Sequence, residues 1–511
     1  MRKLLQVFST LLAAVMLAYT PGTYTEPFRP QYHFSPPQNW MNDPNGLVYY
    51  KGEYHLFYQY NPFGDVWGHM SWGHAVSRDL VHWEHLPVAL QEENGIMIFS
   101  GSAVVDWQNS SGLCRNPDPR DRSCLVAIYA GRTETSQTQH IAFSNDRGRT
   151  WTKYSGNPVI DLNMRDFRDP KVIWHEDTKK WIMVTVLARE KRVRFFGSPN
   201  LRTWTALSDF GPEGATAGVW ECPDLFPLAV EGEPTDKRWV LVVSINPGGP
   251  AGGSGVQYFI GQFDGTRFVN ENSPDRVLWV DYGKDFYAVQ SFSDILKADG
   301  RRVWIGWLSN WQYAQQEPTS PWRTALSIPR RVQLKKFSDG IRLVQEPIAE
   351  LRRLRECELR VNNRTLSEAN KLLAERPGGS WEMILDLAVG GAAELGLKVS
   401  KGSSEETVIG VRQSTSEVFV DRTRSGNTTF HEKFTGTHAG PLRPGNVVRL
   451  HVFVDWSSVE VFANNGETVL SERIFPSAAS GRVELFATGG DASVKSLQMW
   501  KLRSIWERQA Q

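Results

Sequence analysis

Three acidic residues stand in short motifs whose chemistry could be shared. Asp43 lies in Trp-Met-Asn-Asp-Pro-Asn-Gly at 40–46, Asp169 in Arg-Asp-Pro at 168–170, and Glu221 in Glu-Cys-Pro-Asp at 221–224. Each motif stands just before a run of β-type residues. Carboxyl groups that converge on one cavity can supply a nucleophile, a proton donor and a proton acceptor at a scissile bond. If the fold brings the three run starts together, the motifs predict a site of the kind that hydrolyses glycosidic bonds.

A repeat in the first two thirds of the chain predicts the elements that position these motifs. Extended apolar runs recur at 54–60, 125–130, 181–187, 239–245 and 303–308. A shorter strand candidate precedes each run, and these candidates begin near Asp43, Ser100, Asp169, Glu221 and Asp285. Five units of four short strands predict a five-bladed β-propeller, whose innermost strands line a central axis. If the first strand of each unit is innermost, the three acids point into one funnel.

The pattern changes near residue 344. The segment 346–358 is charged and weakly helical, which predicts a linker. From 359 onward, short segments alternate apolar and polar residues between turn signals, as in half-buried antiparallel strands. We therefore predict an all-β chain with a propeller at 28–345, a linker at 346–358 and a β-sandwich at 359–507.

Composition and the N-terminus indicate a secreted protein. The 57 basic and 56 acidic residues nearly balance, which argues against a nucleic-acid footprint or a basic membrane patch. A basic start followed by an apolar run at 4–18 is typical of a secretory signal peptide, which we place at 1–20. In an oxidising compartment, Cys114 and Cys124 could form a local disulfide across a polar loop. The 20 Trp fit either a large aromatic core or carbohydrate binding.

Further motifs, taken in order along the chain, carry a family resemblance. Besides the three acid motifs, Phe-Ser-Gly-Ser stands at 99–102 and Asn-Trp-Gln-Tyr at 310–313. The chain resembles glycoside hydrolase family 32, the group of invertases, inulinases and levanases, from about residue 32 to 506. Within that family it is most similar to secreted bacterial levanases.

The resemblance implies a retaining mechanism on β-fructofuranosides. Asp43 would be the nucleophile that forms a covalent fructosyl-enzyme. Glu221 would protonate the leaving oxygen and then act as base on water. Asp169 would hydrogen-bond fructose hydroxyls and stabilise the transition state. The implied activity is a secreted exo-β-fructosidase that releases terminal fructose from levan, inulin and sucrose, with no metal or organic cofactor.

The resemblance also implies a fructose pocket of amide, hydroxyl, guanidinium and aromatic side chains. Such groups can read sugar hydroxyls and give apolar contact. The pocket would include Trp40, Asn42, Gln59, Trp67, Phe99, Ser100, Arg168 and Trp311. One departure lies in the predicted sandwich, where Trp456 stands at a position that is commonly Arg in the family. This change could alter the contact between the two domains.

Three alternatives remain open from the sequence. A fructosyltransferase would use the same covalent intermediate but prefer a sugar acceptor to water. A catalytically silent fructan-binding protein would release no fructose, although the presence of all three acids argues against it. An inverting arabinan-type hydrolase on a five-bladed propeller would hold Asp43 and Glu221 about 6.5–9.5 Å apart, whereas a retaining pair lies about 5–5.5 Å apart. Linkage preference and oligomeric state are also open.

Overall fold

The computed structural model describes residues 24–115, 118, 120–376 and 378–506. The predicted signal peptide at 1–20 lies outside the described residues. Within those ranges, no helix is both long and apolar enough to cross a membrane. Almost all regular structure is β-strand. The described residues contain one α-helix, α1 (Leu366–Leu373), and three 3₁₀ turns at Ala188–Glu190, Ala314–Gln316 and Ala349–Leu354.

The N-terminal part is built from consecutive antiparallel blades. The first has β1 (Asn39–Tyr50), β2 (Glu53–Asn61), β3 (Ser71–Ser77) and β4 (Trp83–Leu90). The second has β5 (Met97–Asp106), β6 (Cys124–Arg132), β7 (Gln137–Ser144) and β8 (Thr152–Lys153). The third has β9 (Phe167–His175), β10 (Lys180–Leu187), β11 (Arg192–Ser198) and β12 (Thr205–Phe210).

Two further blades complete the propeller. The fourth has β13 (Val219–Val230), β14 (Glu233–Asn246), β15 (Gly255–Phe263) and β16 (Phe268–Asn270). The fifth segment contains β17 (Tyr287–Ser291), β18 (Arg302–Leu308), the short β19 (Trp322–Arg323) and β20 (Ala325–Leu326), β21 (Arg330–Phe337) and β22 (Gly340–Pro347). In the fifth blade the pairing order is β17, β18, β21 and β22, and β20 also pairs with β18.

The first strand of each blade is the innermost one, as predicted. β1, β5, β9, β13 and β17 each contact the first strand of the next blade, and β17 contacts β1 to close the ring. The apolar runs that mark the repeat form the second strands. β19 then pairs in parallel with β1, in the register Asn39 to Trp322 and Trp40 to Arg323. This closure covers the free edge of the first blade.

A two-residue irregularity interrupts every innermost strand near its start. The pairing register shifts between Met41 and Pro44, Ile98 and Gly101, Arg168 and Lys171, Glu221 and Asp224, and Tyr287 and Gln290. In the third, fourth and fifth blades, the first residue inside the irregularity has a positive φ. The values are 61° for Asp169, 47° for Cys222 and 49° for Ala288. Such bulges re-aim side chains out of strict alternation and are frequent beside active sites.

The C-terminal part is a sandwich of two antiparallel sheets. Its strands are β23 (Arg355–Thr365), β24 (Trp381–Ala388), β25 (Glu394–Lys401), β26 (Glu406–Arg412), β27 (Glu417–Arg424), β28 (Thr437–Pro441), β29 (Val447–Asp455), β30 (Ser458–Ala463), β31 (Thr468–Arg473), β32 (Arg482–Thr488) and β33 (Ser493–Leu502). The sheet orders are β23-β33-β24-β29-β30-β31 and β28-β27-β26-β25-β32. Their inner faces bury aliphatic side chains such as Leu385, Leu397 and Val452. The predicted all-β architecture, a five-bladed propeller followed by a β-sandwich, is confirmed.

Buried ion pairs join the sandwich to the propeller. His33 of the propeller lies between Asp455 and Glu460 of the sandwich, with both ring nitrogens 2.8 Å from a carboxylate oxygen. Arg330 bridges Asp281, at 2.9 Å, and Glu460. Because a charge without its partner is costly in a dry interior, these pairs couple the two domains strongly. Trp456 follows Asp455 directly and is 36% exposed.

The loop between β5 and β6 is closed covalently. The Sγ atoms of Cys114 and Cys124 are 2.09 Å apart, at disulfide-bonding distance. Cys222 is a buried free thiol and Cys357 an exposed one.

Candidate active site

The nucleophile candidate, Asp43, is held by donors from two neighbouring strands. It lies in the irregularity of β1, where its Oδ1 accepts a 3.0 Å bond from Asn42 Nδ2. Ser100 of β5 donates a 2.6 Å bond to its Oδ2. Burial raises the pKa of Asp43, and the bonds from Ser100 and Asn42 oppose that rise. The two donors therefore orient the carboxyl group and favour its ionised form.

Both oxygens of Glu221 are engaged. Arg168 donates to Oε1 from Nε and Nη2, at 3.2 and 3.0 Å. Tyr287 donates a 2.5 Å bond to Oε2 from its hydroxyl group. Arg168, Glu221 and Tyr287 occupy the same place in β9, β13 and β17, immediately before the irregularity. The repeat therefore aligns three polar side chains into one hydrogen-bonded row across three blades.

Asp169 and Cys222 each lie one residue beyond this row, in β9 and β13, and they contact each other. The backbone N–H of Cys222 donates a 2.9 Å bond to Asp169 Oδ2. The Cys222 thiol lies 3.7 Å from that oxygen and 3.4 Å from Asp43 Oδ2. Cys222 thus stands between two of the three acids and links them on the buried side of the site.

Burial and mutual repulsion perturb the acid cluster. Asp169 is 6% exposed, and burial raises its pKa to about 7 against the lowering effect of the Arg168 charge. The nearby charges of Glu221 and Asp43 add to that rise. Burial alone would lower the pKa of Arg168, but the carboxylates of Glu221 and Asp169 raise it above its ordinary value. The protonation of Asp169 therefore responds to pH near neutrality, which is a property of sites that carry out acid–base chemistry.

Several predicted pocket residues support the acids from behind. Trp40 is fully buried, packs its ring on Trp311 at 5.8 Å, and donates a 2.8 Å bond to Asn42 Oδ1. Asn42 in turn holds Asp43. Gln59 is 2% exposed, and its Nε2 donates to the carbonyl of Ile98. Trp40 and Gln59 therefore act on the framework of the site and have almost no accessible surface.

Three predicted aromatic residues lie nearer the solvent. Trp67, Phe99 and Trp311 are each partly exposed. Trp67 packs edge-on against Phe99 with 6.1 Å between ring centroids. The loop that carries Trp67 is tied to the start of β1, because the Gly64 carbonyl accepts a 2.9 Å bond from the Trp40 N–H. These rings are placed to form an apolar rim beside the carboxyl groups.

The parts played by Tyr287 and Cys222 were not predicted from the sequence. Cys222 entered only as a member of the motif that contains Glu221, and Tyr287 belongs to none of the motifs. A signal for Tyr287 existed, because the repeat placed a fifth innermost strand near Asp285, so its first residues should also face the axis.

Among the described residues, no cluster of three or more His, Cys, Asp or Glu side chains has a geometry suited to a metal ion.

Comparison with known proteins places this geometry in a family. Residues 33–347 match the N-terminal domain of glycosyl hydrolases family 32, and residues 350–501 match the family's C-terminal domain. A levanase from Bacillus subtilis is 51% identical over 517 residues, which cover 99% of this chain and 76% of the levanase. The chain belongs to glycosyl hydrolase family 32. The resemblance predicted from the motifs is confirmed, and this family 32 chain is a glycoside hydrolase.

Other known proteins are similar in sequence or in fold. An extracellular exo-inulinase from Aspergillus awamori is 40% identical over 550 residues, which cover 99% of each chain. A crystal structure of exo-inulinase from the same organism aligns with a TM-score of 0.86 at 38% identity, over 94% of this chain and 100% of the other. A β-fructofuranosidase from Schwanniomyces occidentalis, complexed with fructosyl-erythritol, aligns with a TM-score of 0.85 at 34% identity, over 94% and 99%.

Proposed function

We propose that this chain is a secreted, retaining exo-β-fructosidase that releases terminal fructose from levan, inulin and sucrose. The observation that carries the proposal is the convergence of Asp43, Asp169 and Glu221 at the bulged starts of three innermost strands. Two of these acids share Cys222, and the third is held by Arg168, the neighbour of Asp169. One buried acid cluster beside an aromatic rim suits a small, hydroxyl-rich ring.

Asp43 is the nucleophile in this proposal. Its ionised carboxylate attacks the anomeric carbon of fructose, and the bond from that carbon to the leaving oxygen breaks as an ester to Asp43 forms. Ser100 and Asn42 hold the carboxylate before the sugar arrives, which reduces the reorganisation needed at the moment of attack.

Glu221 is the general acid and then the general base. In the first step its proton goes to the leaving oxygen, and in the second step it takes a proton from the water that cleaves the ester. Arg168 and Tyr287 donate hydrogen bonds to its two oxygens, so they fix its orientation. To serve the leaving oxygen, Glu221 must exchange one of these contacts for a contact with substrate.

Asp169 holds the sugar. A carboxylate that accepts bonds from adjacent fructose hydroxyls stabilises the positive charge that develops on the ring in the transition state. Its backbone, with φ of 61°, turns the side chain out of the regular alternation of β9. Asp169 therefore contributes to the choice of sugar as well as to the rate.

The substrate class and export rest on relatives and on the sequence. The aligned relatives are named levanase, exo-inulinase and β-fructofuranosidase, and one of them is named as extracellular. A disulfide between Cys114 and Cys124 suits an oxidising compartment. We assign residues 1–20 to a signal peptide, 28–345 to the catalytic propeller, 346–358 to the linker and 359–507 to the sandwich.

Product analysis tests the proposal. The wild-type protein is incubated with levan, inulin and sucrose, and Asp43→Asn is the matched inactive control. Fructose as the sole early product from levan and inulin, with equal glucose and fructose from sucrose, supports exo-hydrolysis, whereas early oligosaccharides from the polymers would indicate endo-cleavage. Growth of longer fructosides at rising sucrose would indicate a transferase, and no fructose from any substrate would refute enzyme activity on fructosides.

Stereochemistry tests the retaining step separately. Methanol added to the sucrose reaction competes with water for the covalent intermediate. The proposal predicts methyl β-fructofuranoside, identified by NMR. The α-anomer would show inversion and would overturn the role of Asp43 as a nucleophile.

A further inference from the structure

Two of the most exposed tryptophans lie on the face opposite the acids. Trp174 is five residues beyond Asp169 on β9, which corresponds to roughly 15 Å along a strand. Trp107 follows the last residue of β5, whose start carries Ser100. Because both residues lie at the far ends of innermost strands, neither ring can contact a sugar bound at the carboxyl groups. The proposed mechanism leaves both of them unused.

Both rings are exposed yet held in place. Trp107 is 49% exposed, and its Nε1 donates a 2.9 Å bond to Asp294. Trp174 is 41% exposed, and its Nε1 donates a 2.7 Å bond to Glu176. Trp174 also packs edge-on against Trp181 at 5.2 Å. Each indole N–H thus has its partner within the protein, and what each ring offers to solvent is its apolar surface.

The loop between β17 and β18 lies beside Trp107. It carries Asp294, the partner of Trp107, and Leu296, which is 58% exposed. Trp181, which packs edge-on against Trp174, donates a 2.9 Å bond from its Nε1 to Ser110 Oγ, in the turn that begins at Trp107, so the two rings lie on neighbouring parts of one surface. We call Trp107, Trp174 and Leu296 the indole platform. Apolar surface gathered in this way marks an interaction site.

The surroundings of the indole platform favour a polyhydroxylated ligand over a protein. Glu176 and Lys179 pair at 2.6 Å and are about two thirds exposed, at 68% and 66% of their side chains. The centre of a protein–protein interface is depleted of charged residues, so exposed charges beside the two rings are not typical of such an interface. A sugar ring presents C–H groups that pack on an indole face and hydroxyl groups that bond to charged neighbours.

We propose that the indole platform is a second, non-catalytic carbohydrate site, which binds a fructan chain while another chain end is cleaved in the funnel. The identity of the chain as fructan rests on the proposed function, whereas the site itself rests on the exposed and fixed rings. Its effect is to keep the enzyme on polymeric substrate.

Native gel electrophoresis with levan or inulin in the gel tests this site. Runs contain saturating fructose, so that the catalytic funnel is occupied. The wild-type protein should be retarded relative to a gel without polymer, and the Trp107→Ala/Trp174→Ala double variant should lose that retardation. Trp456→Ala, which removes an exposed tryptophan of the sandwich, is the matched control and should behave as wild type.

Kinetics give a second measurement. The double variant should keep the wild-type rate on sucrose, which also shows that it is folded, while its KM for polymer rises by about three- to tenfold. Unchanged retardation and unchanged polymer KM would overturn the proposal. A change in oligomeric state by light scattering without loss of retardation would also overturn it, since the platform would then contact a second copy. Failure of the proposed function itself would appear separately, as no release of fructose by the wild-type protein.

Discussion

Replacing Asp169 by Asn should stabilise the folded protein, and the gain should grow with pH. Burial raises the pKa of Asp169 from an ordinary 3.8 to about 7. Each pKa unit corresponds to about 1.4 kcal/mol, so ionised Asp169 costs the folded state about 4 kcal/mol above neutral pH. At about pH 5 the folded protein holds the proton while the unfolded chain has largely lost it, and the cost falls to less than about half of that value. Asn carries no charge and avoids this cost.

The assay is urea unfolding of wild type and Asp169→Asn at about pH 5 and about pH 8.5. The difference in the free energy of unfolding should be largest at the higher pH, and activity should be lost at both. Asp79→Asn is a control of opposite sign: burial would raise the pKa of Asp79, but hydrogen bonds from His82 and Val81 hold it well below its usual range. That variant should lose stability above acidic pH. An Asp169→Asn protein no more stable than wild type at about pH 8.5 would refute the electrostatic account of the cluster.

Three other predictions follow from contacts of single side chains. Tyr287→Phe removes a donor to Glu221 and should lower kcat by about tenfold with little change in KM, measured on sucrose; an unchanged kcat would exclude a positioning role. Glu221→Gln should abolish most activity on sucrose but lose far less in the first step on a fructoside with an acidic leaving group, and equal losses would contradict the general-acid role. Burial alone would lower the pKa of His33, but Asp455 and Glu460 raise it, so its protonated form stabilises the domain contact at low pH and is lost as pH rises through that raised value. His33→Gln should therefore cost about 3 kcal/mol in thermal or urea unfolding near pH 6 and less near pH 9, and an equal cost at both would argue against a charged His33.

The repeat and the acid motifs were enough to predict the propeller and the place of the acids. The apolar runs mark the second strand of each blade, so the motif before each run falls on an innermost strand. The row from Arg168 through Glu221 to Tyr287 was not predicted, because it depends on bulges whose positive φ falls on Asp169, Cys222 and Ala288. Asp, Cys and Ala have no common residue preference that would indicate a shared backbone conformation.

The pocket prediction was less complete for a related reason. Residue type indicated that aromatic side chains would surround a sugar, but it does not show how deeply each side chain is buried. Trp40 and Trp67 were treated alike, yet Trp40 is fully buried while Trp67 is partly exposed. Trp40 packs on Trp311 and pairs with Arg323 of β19, and both partners lie roughly 270–280 residues away in sequence. Local pattern contains no trace of such a distant partner.

That same pairing sets an order of assembly for the enzyme. The strand that carries Asp43 is among the first parts of the chain to be synthesised, but the partner on its inner edge, at Asn39 and Trp40, comes from Trp322–Arg323. Thr324 then donates a hydrogen bond to the carbonyl of Met41, two residues before Asp43. A nascent chain shorter than this lacks the strand that pairs just before Asp43. The segment that carries Asp43 is therefore synthesised early but completes its contacts only once Thr324 has been made, so the acid cluster lacks its full framework until most of the propeller is present.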